Sequence, residues 1–98
     1  MQEALREAAA EFLMREANPQ PLITVTAASL SDDHKRGVVY ITVFPDSGEA
    51  AAVAFANRSR HEFGEFFKKR VRGMFLPHVE FQIDKGEKNR QRLDELSN

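Results

Sequence analysis

Residues 57–84 read NRSRHEFGEFFKKRVRGMFLPHVEFQID, and along them the spacing of the apolar residues changes from that of a helix to that of a strand. The first part carries an apolar stripe at helical spacing, made by Phe63, Phe66, Phe67, Val71 and Met74. Gly73 and Pro77 are expected to end this helix. The segment 78–84 then alternates strictly, which predicts a strand whose core-facing residues are Val79, Phe81 and Ile83.

A shorter helix is predicted just before this stretch. The Ala-rich run 49–56 follows the helix-breaking sequence PDSG, in which Asp46 begins the spacing of a capping box. The same spacing recurs from Ser59, and it is preceded by Asn57, a residue type that tolerates the left-handed conformation at a helix end. We therefore expect two helices joined by a kink near residues 57–61.

The first half of the chain predicts a helix and a β-hairpin. Residues 2–17 are amphipathic at helical spacing and are followed by NPQP, which ends the helix. Residues 22–30 and 38–44 alternate β-branched with other residues on either side of a polar turn. The order α-β-β-α-α-β predicts an α+β sandwich, with a three-stranded sheet and its helices on one face. This order resembles that of type II KH domains, whose helix–kink–helix normally carries GxxG, a motif that this chain lacks.

The length of 98 residues suits one domain, which we expect at residues 1–84, followed by a polar C-terminal tail at 85–98. The absence of cysteine excludes disulfides, iron–sulfur clusters and a thiol nucleophile. No segment has the pattern of a signal peptide or a membrane span. A cytoplasmic protein without membrane contact is the expectation.

Patterns typical of catalysis or metal binding are weak. The three histidines, His34, His61 and His78, have no spacing that places two imidazoles on one face. Asp32 and Asp33 precede His34 in the predicted turn, where acidic side chains usually accept hydrogen bonds from the local backbone. No glycine-rich phosphate loop is present. We expect a protein that is not an enzyme and has no metal, cofactor or small-molecule substrate.

The net charge of −1 hides an uneven distribution. Residues 1–33 hold two basic and six acidic residues, whereas 58–72 hold six basic and two acidic, and 85–92 hold four basic and one acidic. Concentrated cations are typical of a surface that binds phosphates. The candidates are Lys35, Arg36, Arg58, Arg60, His61, Lys68, Lys69 and Arg72. The alternative is that these residues provide solubility, with Glu62 and Glu65 pairing some of them.

The eight phenylalanines could point to base stacking on RNA. Most of them occupy core positions of the predicted helices and strands, so packing is their expected role. Only four aromatic residues are candidates for exposure: Tyr40, Phe44, Phe55 and Phe75.

Several segments, taken in order, resemble the ribosome-binding factor A family, whose layout is the same α-β-β-α-α-β. They are LITVT at 22–26, Leu30-Ser31 with Asp33, Arg36 leading into VYITV at 39–43, LPHVEFQID at 76–84 and RLDEL at 92–96. The kink of that family usually carries Ala-x-Gly, whereas this chain has Ser59, Arg60 and His61 there. Its kink is therefore expected to depend on capping instead of glycine.

The resemblance implies a non-enzymatic factor that binds the small (30S) ribosomal subunit and 16S rRNA during late maturation and rRNA processing, and we expect a monomer. The eight basic candidates would then contact rRNA phosphates. The charge pattern by itself also allows a protein–protein adaptor, which would dock a polypeptide through its charge poles or a sheet edge.

Overall fold

The computed structural model describes residues 2–16, 22–71 and 76–86. Its elements, in order, are helix α1 (Gln2–Glu16), strands β1 (Leu22–Leu30) and β2 (Arg36–Phe44), a 3-10 turn (Asp46–Gly48), helices α2 (Glu49–Arg58) and α3 (Arg60–Arg70), and strand β3 (His78–Ile83). The predicted order α-β-β-α-α-β is confirmed. None of the helices in these ranges combines the length and the apolar character that crossing a membrane requires.

The strands form one sheet in the order β1-β2-β3. β1 and β2 make the predicted antiparallel hairpin, in which Leu22 lies opposite Phe44 and Leu30 lies opposite Gly37. The register shifts by one residue at Thr26, which makes a β-bulge. The bulge keeps alternate residues on both sides of it facing the core.

β3 pairs with β2 in parallel, with Arg36 opposite His78 and Ile41 opposite Ile83. A parallel pair needs a long crossover connection, and here α2 and α3 form it. The sequence predicted the strand but not its direction. The parallel pairing brings the start of β2 and the start of β3 to the same end of the sheet.

The helices pack on one face of this sheet and enclose the core. Every second residue of β2 is buried, as the alternation predicted. Aromatic rings join three elements, because Phe63 of α3 lies 5.4 Å from Phe12 of α1 and 5.9 Å from Phe81 of β3, measured between ring centroids. These contacts confirm the predicted apolar faces of the first helix, the third helix and the last strand.

The bulge residue Thr26 connects β1 to the end of β3. Its Oγ1 donates a hydrogen bond to Asp84 Oδ2 at 2.6 Å and lies 3.3 Å from the carbonyl oxygen of Tyr40. The bond spans the central strand and is partly buried. It therefore links the two outer strands of the sheet directly.

Replacing Thr26 by valine is expected to lower the free energy of unfolding by about 2 kcal/mol, because valine has the same shape and cannot donate to the carboxylate. Thr24, which is exposed on the same strand, provides the matched control. Thr24→Val should change the free energy of unfolding by less than about 0.5 kcal/mol. Urea unfolding measures both variants, and equal losses would show that the Thr26–Asp84 bond adds no stability.

Ser59 separates α2 from α3 and forms the predicted kink, with φ −90° and ψ 12°. Its N–H still donates to the carbonyls of Phe55 and Ala56 at 3.1 Å, and its own carbonyl accepts from Phe63 at 2.9 Å. The Ser59 side chain makes no capping hydrogen bond, so the capping-box prediction is wrong here. A capping serine needs extended backbone, whereas Ser59 is close to helical.

Three other element ends differ from the prediction. The residue that precedes α2 as its cap is Gly48, not Asp46, because Asp46–Gly48 form a 3-10 turn. Helix α3 ends at Arg70, since Val71 is extended with φ −122° and ψ 96°. Three consecutive basic residues form its last turn, where the helix dipole favours cations. β2 begins at Arg36, two residues earlier than predicted. The predictions for Ala17, Arg72, Met74, Phe75 and most of the tail concern positions outside the described residues.

Asn57 attaches the kink to β3. Its Oδ1 accepts a hydrogen bond from the Phe81 N–H at 3.0 Å, and its Nδ2 lies 3.3 Å from the Phe81 carbonyl oxygen, to which it donates. β3 is an edge strand, so these backbone groups have no strand to pair with on that side. Asn57 is helical and does not adopt the left-handed conformation that its residue type tolerates, and it acts through its side chain.

Replacing Asn57 by alanine is expected to cost about 2 kcal/mol of unfolding free energy, because it leaves the partly buried N–H and carbonyl of Phe81 without their partners. Asn57→Asp keeps the acceptor for the Phe81 N–H but sets a carboxylate oxygen against the Phe81 carbonyl, so it should also destabilise the fold at neutral pH. Thermal and urea unfolding of the two variants measure the difference. A loss below about 0.5 kcal/mol for Asn57→Ala would contradict this role.

Candidate nucleic-acid interface

The fold gathers basic residues from three segments at one corner of the sheet. This sheet corner consists of Lys35, Arg36, Arg60 and His78. The His78 N–H donates to the Lys35 carbonyl at 2.9 Å, and Arg36 is the residue opposite His78 on the adjacent strand. Arg60, at the start of α3, has its Nη1 3.1 Å from His78 Nε2. All four residues are exposed.

The Arg60 guanidinium is held in place by two contacts, neither of them with a carboxylate. Its Nε donates to the Asn57 carbonyl at 3.1 Å, and its Nη1 contacts His78, whose Nε2 is the acceptor because arginine has only donors. Of the five N–H donors of arginine, three remain for another ligand. Arg60 has no salt bridge to any residue in the described part of the chain. Such a fixed, uncompensated fork suits a phosphate or another oxyanion.

The hairpin turn positions the backbone of Lys35 and Arg36. The Asp33 carboxylate accepts from the Ser31 hydroxyl at 2.6 Å and from the Lys35 N–H at 3.0 Å, while the Arg36 N–H donates to the Ser31 hydroxyl oxygen at 3.1 Å. The hydrogen bond from the Ser31 hydroxyl lowers the pKa of the Asp33 carboxyl. The hydrogen bond from the Lys35 backbone N–H and the positive charge of Arg36 act in the same direction. The expectation that a turn acid serves the local backbone is confirmed for Asp33.

A second basic group lies on the solvent side of α3. This α3 strip consists of His61, Lys68 and Lys69, all exposed. Lys68 pairs with Glu65 at 3.9 Å, and the two side chains are 71% and 56% exposed, so the pair is weak and water competes with it. The predicted pairing of helix acids with these bases is therefore confirmed at Glu65.

The remaining predicted residues lie elsewhere. Arg58 ends α2 and is exposed, and Arg72 lies outside the described residues. Arg70, which the sequence did not single out, turns away and bonds Glu11 of α1 through its Nε at 2.7 Å. The predicted residues thus divide into the sheet corner, the α3 strip and Arg58.

Two acidic groups lie near the sheet corner and limit its charge. Asp33 is in the turn before Arg36, and Glu80 follows His78 on the same side of β3. The Glu80 carboxylate accepts a hydrogen bond from Gln82 at 3.3 Å. A shallow groove at this corner is lined by Ser29, Leu30, Ser31, Arg36, Gly37, Val38, His78 and Glu80.

The chemistry available here is anion binding. In residues 2–16, 22–71 and 76–86 no three His, Asp or Glu side chains come together as metal ligands could. The sequence missed His78 as a member of the corner, and two signals pointed to it: it begins the most regular strand, and it directly follows Pro77. Its neighbours Arg36 and Arg60 depend on strand pairing and on the kink, which the sequence did not specify.

The sequence profile of the family described as ribosome-binding factor A matches residues 1–97. The crystal structure of ribosome-binding factor A from Thermus thermophilus is 30% identical, with a TM-score of 0.74, and the match covers 84% of this chain and 89% of that one. A homology model of the Thermus thermophilus factor, fitted into the cryo-EM map of its complex with the 30S subunit, is also 30% identical, with a TM-score of 0.70 and coverage of 83% and 88%.

The solution structure of a Thermotoga maritima protein, a putative ribosome-binding factor A, is 22% identical, with a TM-score of 0.68 and coverage of 83% and 80%, and supports the fold alone. No curated protein matches the chain significantly.

Proposed function

This chain belongs to the ribosome-binding factor A family, and on that premise we propose that it binds the small (30S) ribosomal subunit and its 16S rRNA during late subunit maturation. It does so without catalysing a reaction. The support from relatives is the homology model of the Thermus thermophilus factor, which is 30% identical to this chain. That model was fitted into the cryo-EM map of a complex between the factor and the 30S subunit.

The single observation that carries the proposal for this chain is the sheet corner. Lys35 and Arg36 come from the hairpin and Arg60 comes from the kink, yet all three neighbour His78. Phosphate binding requires cations that lie close together and keep unused hydrogen-bond donors. The fold provides this arrangement from segments that are distant in the sequence.

The proposed contacts are mainly to the RNA backbone. Cations and backbone N–H groups that meet phosphates fix position and orientation, so the chain would recognise the shape of the rRNA more than its sequence. The binding residues are Lys35, Arg36, Arg58, Arg60, His61, Lys68, Lys69 and Arg72. The chain acts as a monomer in the cytoplasm, with residues 1–84 as the binding domain and 85–98 as a polar tail.

Reversing the charge of Lys68, Lys69 and Arg72 together is expected to weaken binding to immature small subunits by about tenfold, because up to three phosphate contacts become repulsive. Lys68 already pairs with Glu65, which limits its contribution. Filter binding at constant salt measures the affinity. An unchanged affinity would remove Lys68, Lys69 and Arg72 from the interface.

Co-sedimentation tests the proposed function. The purified chain is mixed with immature small subunits or with mature whole ribosomes and centrifuged through sucrose. Preferential recovery with the immature subunits is expected. Equal recovery with both particles, or none with either, would contradict the proposal.

The adaptor remains a second candidate because β1 is an edge strand of nine residues, long enough to pair with a strand from another protein. Nuclease treatment separates the two functions. A partner that stays bound to the chain after complete RNA digestion supports the adaptor, whereas release of the partner supports RNA binding.

A further inference from the structure

The sheet has an outer face, opposite to the helices, that carries exposed apolar side chains. On β2 it is formed by Arg36, Val38, Tyr40, Thr42 and Phe44, the residues that alternate with the buried ones. The described helices pack on the other face. The Phe44 side chain is 74% exposed, and its partner in register, Leu22, is 59% exposed.

Tyr40 lies on the same face and the same strand as Phe44. They are four positions apart, which corresponds to about 13 Å along the strand. The residues opposite Tyr40 are Ala27 on β1 and Gln82 on β3. Tyr40 is half-buried, and its neighbour on β1 is the small residue alanine.

The outer face runs directly into the sheet corner. Arg36 is the first residue of the same row on β2, and His78 lies opposite it. The shallow groove at the corner continues this face, because its lining includes Val38 as well as Arg36. The face therefore presents two aromatic rings in line with a cationic end, and Glu80 on the face and Asp33 in the adjoining turn reduce the charge of that end.

We propose that this outer face binds a single-stranded RNA segment, with bases stacked on Tyr40 and Phe44 and phosphates bound by Arg36 and Arg60. Aromatic rings on an open sheet face and an adjacent cationic groove are the two features that single-stranded nucleic acids recognise. The inference rests on the proposed function, because it assigns a second RNA contact to the same particle. The chain would then contact RNA through two surfaces. The α3 strip would bind structured RNA, and the outer face of the sheet would bind an unpaired strand.

RNA is favoured over a protein partner by charge complementarity. A protein surface that covered Leu22 and Phe44 would gain apolar burial, but it would use the cations at the other end of the row only if it also carried acidic residues there. A nucleic-acid strand uses both ends, because each nucleotide carries a base for stacking and a phosphate for an arginine.

The chain contains a built-in probe for this face. Tyr40 is the only tyrosine and there is no tryptophan, so the intrinsic fluorescence of the protein comes from the outer face. The full-length chain is titrated with a single-stranded oligouridine of about eight nucleotides and with an RNA duplex of equal length. The single strand is expected to quench the emission of Tyr40, and the duplex is expected to quench it much less.

Phe44→Ala is the decisive variant, because its exposed side chain can be removed without opening the core. It should weaken binding of the oligouridine by about tenfold. Met14→Ala is the matched control, since Met14 is 82% exposed on α1 and lies on the helical layer. It should leave the affinity unchanged. Equal affinities for the wild type and Phe44→Ala, or the absence of quenching, would overturn the inference.

Co-sedimentation of the same variants with immature small subunits separates this inference from the proposed function. If the wild type binds subunits but oligouridine does not quench Tyr40, the outer-face inference is wrong and the proposed function stands. If Phe44→Ala loses subunit binding although oligouridine has no affinity, the face binds protein and the inference is again wrong. Quenching by oligouridine without subunit binding would contradict only the proposed function.

Discussion

Reversing the charge of Arg36 and Arg60 together, by substitution with glutamate, is expected to weaken binding to immature small subunits by at least about 100-fold. Hydrogen bonds from a guanidinium to a phosphate contribute about 1.5–3 kcal/mol each, and each 1.4 kcal/mol corresponds to a tenfold change in affinity. The variant loses two such groups and places two carboxylates next to phosphates. Equilibrium binding to purified immature subunits measures the loss.

The matched control reverses the same number of charges on α1, a helix that contributes no residue to the sheet corner. Arg6→Glu with Arg15→Glu changes the net charge equally, but both residues lie on α1. Long-range repulsion alone should weaken its binding by only a few-fold, since exposed charges are screened beyond about 10 Å. Similar losses in the two double variants would contradict a specific role for the sheet corner. Circular dichroism checks that both remain folded.

Replacing Phe63 by alanine is expected to lower the free energy of unfolding by about 4 kcal/mol, a large part of the stability of a small domain. Its ring is fully buried and contacts Phe12 of α1, Phe67 of its own helix and Phe81 of β3. The cavity left by the substitution would separate the elements that carry the sheet corner. Denaturant unfolding of the purified variant measures the loss.

The control for Phe63 is Phe44→Ala, which removes an equally large ring from an exposed position. Its cost should stay below about 1 kcal/mol, because little apolar area is returned to water. A loss of less than about 1 kcal/mol for Phe63→Ala as well would show that the phenylalanine cluster does not hold the layers together.

The secondary structure could be predicted because each element has a regular pattern in its own residues. The alternation in β3 and the helical spacing of Phe63 and Phe67 depend only on which side faces the core. The capping patterns near each end of a helix or strand were less informative about where that element begins or ends. The kink lies at Ser59 as expected, but it depends on Asn57 bonding to Phe81, a contact between residues 24 positions apart. No local pattern specifies such a contact.

The sequence predicted which types of residue form the candidate site, but it did not predict which of these residues lie next to one another. The run of bases identified Arg60 and Lys68, whereas in the structure Arg60 contacts His78 of β3 and Lys68 pairs with Glu65 of its own helix. The role of His78 follows from the parallel pairing of β2 and β3, which sequence periodicity does not encode. Among the aromatic candidates for exposure, Phe44 is exposed as expected, whereas Phe55 is half-buried and packs on the core.

The most direct test of phosphate binding at the sheet corner is the salt dependence of binding to immature small subunits. The logarithm of the binding constant is plotted against the logarithm of the salt concentration for the wild type and for a neutral variant that combines Arg36→Gln and Arg60→Gln. Each phosphate contact that is lost lowers the magnitude of the slope by about 1, so a decrease of about 2 is expected. An unchanged slope would mean that neither arginine meets a phosphate.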